Sequence, residues 1–439
     1  MNEGNPAVLV VGAGPAGLAA ADRLTREGVA VQVLESREEL AGRAGQIELE
    51  GYRFDRGAEF FTSFYPTTRR LVREKGLEPD VVEIKGPGKL FVDGRLVPMV
   101  TGPLSALTTP LLSIKSKLRL RRLSMSLLAH AGGLDFSDPR SLAAADDESA
   151  EEYGREVLGD EFVERVMKPG LESLTLSPAS ETSKALFLSQ ALVGPTARFY
   201  SIAGGMGRLC ESLARGLPVR LRTKALAVRE AAGGVEVDVE EDSRRETLRA
   251  EAAILAVQAP AAAAILGANG SPELAAFLGR VRYTPAVKLD LGLDRPLGAD
   301  CPGVIPVGSE FEGLAGLQFL AYKGTRQVPE GKDGLGIVTG GRLAARLLGE
   351  DEESVTRELA DLAARVLAKP IPGVVCRHVT RLSEAVPQFP PGRYRELAKL
   401  DPSIGRRIFL AGDYLAGPSI EAALRTGIAA AERALAAIR

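Results

Sequence analysis

Apolar positions along this chain follow two rhythms, and the points where one gives way to the other mark its elements. Residues 7–11 (Ala-Val-Leu-Val-Val) form a short continuous apolar run, the pattern of a strand buried on both faces. Leu18, Ala21, Leu24 and Thr25 then fall at helical spacing, Gly28 ends that helix, and 29–35 reads as a second strand. Further on, 219–226 and 252–257 read as strands, 235–239 alternates with period 2, and 259–264 is an alanine-rich helix. Helical signals dominate 101–195 and strand signals dominate 280–345. In the alternating stretch 283–293, Val287, Leu289, Leu291 and Leu293 share one face and Lys288 and Asp290 the other. Near the end, 407–410 reads as a buried strand running into Gly412-Asp413. Ala423, Ile428, Ala431, Leu435 and Ile438 then give a closing helix, with Pro418 expected near its first turn.

Strand, helix and strand in that order predict an α/β protein built on a Rossmann-type domain with a central parallel sheet, joined to a mixed-sheet and helical substrate domain. The turn after the first strand is Gly12-Ala13-Gly14-Pro15-Ala16-Gly17. Gly12 permits the tight turn, Gly14 lets backbone approach a pyrophosphate, and Gly17 lets helix and strand pack closely. The helix N-terminus then offers free amides and the positive end of its dipole to phosphate. Glu35, 18 residues beyond Gly17 at the end of the second strand, is placed to accept hydrogen bonds from a ribose diol. An acid there argues against a 2′-phosphate, which leaves NAD or FAD.

Composition narrows the chemistry further. The chain has 439 residues, 45% hydrophobic, with 55 basic and 57 acidic side chains, so no global field attracts nucleic acid. Its three cysteines are far apart and it has only two histidines, His130 and His378, which excludes zinc fingers, a His-Glu-x-x-His site and a dithiol redox centre. No metal site is expected. No Gly-x-Ser-x-Gly elbow and no Gly-Lys-Ser/Thr P-loop is present, so the chemistry is borrowed from a cofactor. With no basic leader and no apolar run of about 18 residues, a cytoplasmic location is expected. Residues 111–123 mix apolar side chains with a basic cluster. A solvated helix face is the favoured reading, and an amphipathic helix in peripheral contact with an anionic membrane is the other.

Residues 41–45 (Ala-Gly-Arg-Ala-Gly) and 52–61 (Tyr-Arg-Phe-Asp-Arg-Gly-Ala-Glu-Phe-Phe) choose between the cofactors. Together with Gly412-Asp413 and 417–424, they make the chain resemble the flavin amine oxidase and protoporphyrinogen oxidase superfamily. The resemblance implies noncovalent FAD. It implies that Gly42 and Arg43 meet the pyrophosphate, with Ala41 departing from the usual Gly-Gly-Arg, and that Gly57, Ala58, Glu59 and Phe60 pass near the flavin. It assigns Gly12, Gly14, Ala16, Gly17 and Glu35 to the nucleotide, Ala225 to the adenine side, Gly412 and Asp413 to the ribityl region, and Ile420 and Glu421 to the flavin edge. The domains it implies are a discontinuous FAD-binding part (1–85, 200–270 and 396–439) and a substrate part (86–199 and 271–395).

For the reaction, the resemblance implies removal of a hydride from a C–H bond, with oxygen, a quinone or another carrier as acceptor. Residues 378–394 and 158–170 resemble bacterial porphyrinogen oxidases, which points to a bulky apolar or tetrapyrrole-like substrate. The Ala416-Gly417-Pro418-Ser419 loop departs from that pattern. The alternative is an amine oxidase: Lys288 matches the strand lysine those enzymes hold near flavin N5, and is the candidate catalytic residue, the plainer reading being a solvated strand lysine paired with Asp290. However, Ala385 and Ser419 stand where an aromatic pair would be expected. Arg198, Arg381 and Arg393 are candidate partners for substrate carboxylates, and His378 is read as structural. A third reading is a flavin-binding scaffold without turnover. The oligomeric state is left open.

Overall fold

The structure, a computed structural model, describes residues 6–130, 133–269, 272–324 and 326–439. Two sheets organise it. The first has six strands in the order Val219–Arg220, Val31–Leu34, Val8–Val11, Ala252–Leu255, Ile408–Leu410 and Ser403–Ile404, parallel except for the last pair. Val8 pairs with both Val31 and Ala252, so the first strand is flanked on both sides, and its four residues are buried. A strand so placed has no solvent face, which is why it is continuously apolar instead of alternating.

Helix Pro15–Arg26 leaves the end of that strand through Gly12, whose φ of +102° a side-chain-bearing residue rarely adopts. A Cβ at Gly17 would stand 1.9 Å from the Gly12 carbonyl oxygen, so only glycine lets the helix start this close to the strand. The closing helix Ile420–Ile438 lies against Pro15–Arg26. There a Cβ on Gly427 would stand 2.0 Å from the Ala16 carbonyl oxygen.

The second sheet has seven strands in the order Val374–Pro387, Tyr283–Leu293, Asp333–Thr339, Leu314–Phe319, Gly303–Pro306, Lys89–Val92 and Arg95–Pro98. Its apolar core, including Val287, Leu289, Leu291, Leu335 and Ile337, packs with Val355, Leu359 and Ala363 of helix Glu352–Leu367. Segment 103–193 is mostly helical. Among the described residues no helix is long and apolar enough to cross a membrane.

Several elements differ from the sequence pattern. The strand expected over 219–226 is broken at Arg222, whose φ is +53°. Val219–Arg220 joins the parallel sheet, while Thr223–Ala231 opens a three-stranded antiparallel sheet with Gly234–Glu241 and Arg244–Ala250. Pro418 lies outside the closing helix, because Ser419 is its N-cap and accepts from the Ala422 N–H. In 111–123 the helix begins only at Ile114 and runs to Ala129, with Leu111 and Leu112 buried ahead of it. Finally, Lys288 and Asp290 do not face solvent. Strand Tyr283–Leu293 is buried on both faces from Ala286 onward.

Candidate active site

The nucleotide cradle is made chiefly of backbone. Glu35 ends the second strand and is buried. One carboxylate oxygen accepts from the Ala13 N–H at 2.8 Å and the other from the Arg37 N–H at 2.9 Å. Its own backbone is clamped as well, its N–H donating to Arg220 O and its carbonyl accepting from Thr223 N–H. A carboxylate has about four lone-pair sites, so this one is oriented against the glycine turn with acceptor capacity left for hydroxyls. A Cβ on Gly14 would meet nothing within 4 Å, while one on Gly42 would reach Gly14 Cα at 3.7 Å. An open space therefore lies over Gly14, with the Gly42 turn close beside it. The acidic acceptor, the open glycine turn and the helix N-terminus together suit a dinucleotide. Ala16 and Gly17 supply the first turn of that helix, and Ala225 pairs with Val239 just beyond the Thr223 clamp.

Gly42 and Arg43 lie in a single 3₁₀ turn. Segment 55–60 docks on that turn: Arg56 N–H donates to Gly45 O, Ala58 N–H donates to Arg43 O, and a Cβ at Gly57 would stand 2.7 Å from Arg43 O. The Phe60 ring meets Phe199 edge-on at 5.2 Å. The Arg43 guanidinium forms a bidentate pair with Asp413 (2.9 and 2.8 Å) and also donates to Ala385 O at 2.8 Å. Its carbon lies 5.8 Å from the centre of the Tyr283 ring. Arginine and aspartate, matched to separate parts of the cofactor by the resemblance, thus also bond to each other.

Gly412 N–H donates to Thr426 Oγ1 of the closing helix, which fixes the Gly-Asp turn against it. Ile420 is the first residue of that helix, so its N–H and that of Glu421 have no intrahelical partner. The Glu421 side chain turns elsewhere. It is buried and accepts from Thr67 N–H, Thr68 N–H and Thr68 Oγ1, each at 2.8 Å, closing the N-terminus of helix Pro66–Glu74.

A second polar region lies between segment 55–59 and the seven-stranded sheet. Lys288 Nζ reaches Asp55 O at 2.7 Å, Glu59 Oε1 at 2.7 Å and Asp290 Oδ1 at 2.9 Å, so each of its three donors faces a protein acceptor. Lys323 Nζ pairs with Glu59 Oε2, donates to Gln318 Oε1 at 3.1 Å and lies 3.8 Å from Asp55 Oδ2. Asp55 is held by Met206 N–H at 2.8 Å and Gln327 Nε2 at 3.0 Å. All five ionisable side chains are at most 8% exposed.

Burial alone would raise Glu59, but Lys288 and Lys323 hold its carboxyl below the usual range. Burial raises Asp55 despite Lys323, and pushes Asp290 up to about 6 against the pull of Lys288. For Lys288, burial disfavours the charge, yet Asp290 and Glu59 outweigh it and keep the ammonium protonated. Sequence reasoning missed Asp55, Lys323, Gln318 and Gln327. Asp55 lies inside a motif noticed for its glycine, whereas nothing local marks Lys323.

His378 pairs with Asp290 across the strands, and burial lowers its pKa. Arg381 donates to Glu350 O, and the Arg198 N–H donates to Ser63 Oγ. Neither contact involves the cradle. Ala385 is buried and Ser419 serves as a helix cap.

Residues 15–435 match the family described as flavin containing amine oxidoreductase. The chain belongs to that family. It is a flavin-containing oxidoreductase, and FAD is its cofactor. Within this family, the coproporphyrinogen III oxidase of Propionibacterium freudenreichii subsp. freudenreichii is 30% identical over 172 residues, 37% of this chain and 30% of that enzyme. The match thus spans about a third of the curated relative. Among solved structures, cyclohexylamine oxidase from Brevibacterium oxydans IH-35A superposes with a TM-score of 0.76 at 20% identity, covering 99% of this chain and 100% of that one. A putrescine oxidase bound to putrescine gives 0.79 at 18% identity, covering 98% and 99%. At such identities the likeness establishes a shared fold.

Proposed function

We propose that this flavin-containing oxidoreductase takes a hydride from a C–H bond of a bulky, largely apolar, tetrapyrrole-like substrate, as porphyrinogen oxidases do. The observation that carries the reading is the pair Ala385 and Ser419, small side chains where an aromatic pair would grip a small amine. The coproporphyrinogen III oxidase match supports the same substrate class. FAD, when bound, supplies the hydride acceptor. Gly12, Gly14, Ala16 and Gly17 hold its pyrophosphate, Glu35 accepts from its ribose, and Ala225 borders its adenine side. Gly42, Arg43, Gly412 and Asp413 line the middle of the site. Gly57, Ala58, Phe60 and the backbone N–H groups of Ile420 and Glu421 border the flavin. Glu59 acts through its pairing with Lys288 and Lys323. Noncovalent attachment is favoured, because Cys210, Cys301 and Cys376 are all buried outside these motifs.

Anaerobic titration of the FAD-loaded protein with reduced coproporphyrinogen, following flavin absorbance, tests this reading. Stoichiometric bleaching is expected. A flavin that stays oxidised with the porphyrinogen but bleaches with cyclohexylamine or putrescine would replace the tetrapyrrole with an amine. Aerobic turnover with and without a quinone then identifies the acceptor.

A second feature bears on location. Leu104, Leu107, Ile114, Leu118, Met125 and Leu128 are each more than half exposed, beside the basic Lys115, Arg121 and Arg122, and residues 103–130 contain no acid. This combination favours peripheral contact with an anionic lipid surface over a solvated helix face. Co-sedimentation with phosphatidylglycerol vesicles, lost in Leu118→Glu, is the expected result. Equal recovery in the supernatant with and without vesicles would return the segment to the solvated reading.

A further inference from the structure

On the outer side of the 388–396 segment, an open cavity of about 640 Å³ is bordered by Arg280, Arg282, Pro390, Arg393 and Glu396. The three arginines come from different elements: the last residue of helix Pro272–Arg280, the residue before strand Tyr283–Leu293, and the first residue of helix Arg393–Lys399. One carboxylate serves them. Glu396 pairs with Arg280 through one oxygen and with Arg393 through the other, the latter at 2.7 Å. Arg282 is exposed and enters no ion pair among the described residues.

Arg393 is the unusual member. Its side chain is 5% exposed and its guanidinium carbon lies over the Phe277 ring, 4.0 Å from the ring centre. Nη2 is buried and has no acceptor among the described residues. Burial pulls its pKa below the ordinary arginine value even with Glu396 beside it, so the charge is under-compensated. A protein that buries a guanidinium normally satisfies its fork, because an unmet buried donor has lost its water and gained no partner. Three guanidiniums against one carboxylate leave an excess of two positive charges at the mouth of a cavity. A single planar carboxylate would be satisfied by one fork. Forks from three directions suit a tetrahedral oxyanion, which offers acceptors on every side.

We propose that this cavity is an anion site separate from the nucleotide cradle, taking the dianionic phosphate group of a small molecule between Arg280, Arg282 and Arg393. The phosphate is either free or carried as a monoester, and the fork geometry is common to both. Glu396 holds two of the three arginines in place and sets the net charge at +2, which a phosphate dianion neutralises.

Calorimetric titration of the FAD-loaded protein at near-neutral pH and low salt tests this, because the filled cradle cannot then capture the probe. Inorganic phosphate, glycerol 3-phosphate and malonate are compared. Saturable binding of one or both phosphates is expected, tighter than malonate, and weakened about tenfold in Arg282→Gln. Preference for the ester assigns an esterified ligand, and equal binding assigns the free anion. Arg282→Gln is the decisive variant because the side chain is exposed and its loss leaves the packing intact. Arg393→Gln is expected to lose still more, with an unchanged flavin spectrum showing that the chain has folded. No saturable heat, malonate binding as tight as phosphate, or phosphate binding unchanged in Arg282→Gln would each overturn the proposal.

Discussion

The glycine cradle and the Lys288 cluster are both polar, but they are built in opposite ways. The cradle is local: Gly12 to Gly17 and Glu35 lie within one strand-helix-strand unit, and its donors are backbone N–H groups held by secondary structure. The cluster draws Asp55, Glu59, Lys288, Asp290 and Lys323 from distant parts of the chain, and every essential atom but one is on a side chain. A backbone site costs little to keep when empty, because its donors remain near water. A buried cluster of five charges must balance itself, since each unpaired member would carry a desolvation penalty of several kcal/mol.

The largest expected effect follows from that asymmetry. Lys288→Met removes the cation shared by Glu59 and Asp290 and leaves buried carboxylates facing Lys323 alone. Denaturant unfolding should show a loss of about 3–5 kcal/mol. If the variant loses less than about 1 kcal/mol, the cluster is not a self-balanced buried unit. If flavin reduction and oxygen reactivity are also normal once stability is corrected for, the lysine is structural and the amine oxidase reading loses its main support.

The cradle should respond to geometry more than to charge. Gly17→Ala places a Cβ 1.9 Å from the Gly12 carbonyl oxygen, and is expected to cost about 1–3 kcal/mol and release FAD. Glu35→Gln keeps the shape but weakens acceptance from Ala13 N–H and from hydroxyls, so FAD affinity measured by fluorescence should fall about tenfold with little change in stability. Stability and affinity falling together in Glu35→Gln would mean that the cradle, like the cluster, relies on its charge for folding.

These differences also explain what the sequence could reveal. The cradle was legible because covalent spacing dictates it: a tight turn, a close approach and a strand end occur at fixed separations along one segment. The parallel sheet followed from the same signals, and the Gly-Asp turn and closing helix from equally local ones. The cluster was illegible because its partners meet only through tertiary packing. Period-2 alternation put Lys288 and Asp290 on a polar face, but it carries no information on whether that face meets water or segment 55–59. Likewise nothing local revealed that Arg222 would split one expected strand between two sheets, or that Arg43 would bond to Asp413, 370 residues away.

A pH experiment sharpens the contrast. Burial raises Asp290 from 3.8 to about 6, so the folded state holds its proton more tightly than the unfolded chain. The resulting stabilisation is fully present below pH 3.8 and is lost as pH rises through about 6. Asp290→Asn, which cannot ionise, should therefore gain on the wild type across that interval and keep a constant advantage above it, on the order of 3 kcal/mol. Parallel stability curves for the two proteins between those values would show that the aspartate is ionised in the fold at its ordinary pKa.

Glu421 sits on the border of the two regions and gives the smallest effect. The resemblance places it at the flavin edge, whereas its carboxylate closes the N-terminus of helix Pro66–Glu74, whose N-cap residue Tyr65 makes no side-chain cap bond of its own. The charge also lies in the first turn of helix Ile420–Ile438, where the dipole favours it. Glu421→Gln keeps one carbonyl acceptor and loses the charge, so thermal unfolding should show a loss of about 1 kcal/mol. FAD affinity should change less than about threefold, which is under 1 kcal/mol, because the backbone N–H of residue 421 survives the substitution. A larger fall in affinity at nearly unchanged stability would turn the side chain back toward the cofactor, and the helix cap would then be a by-product of its position.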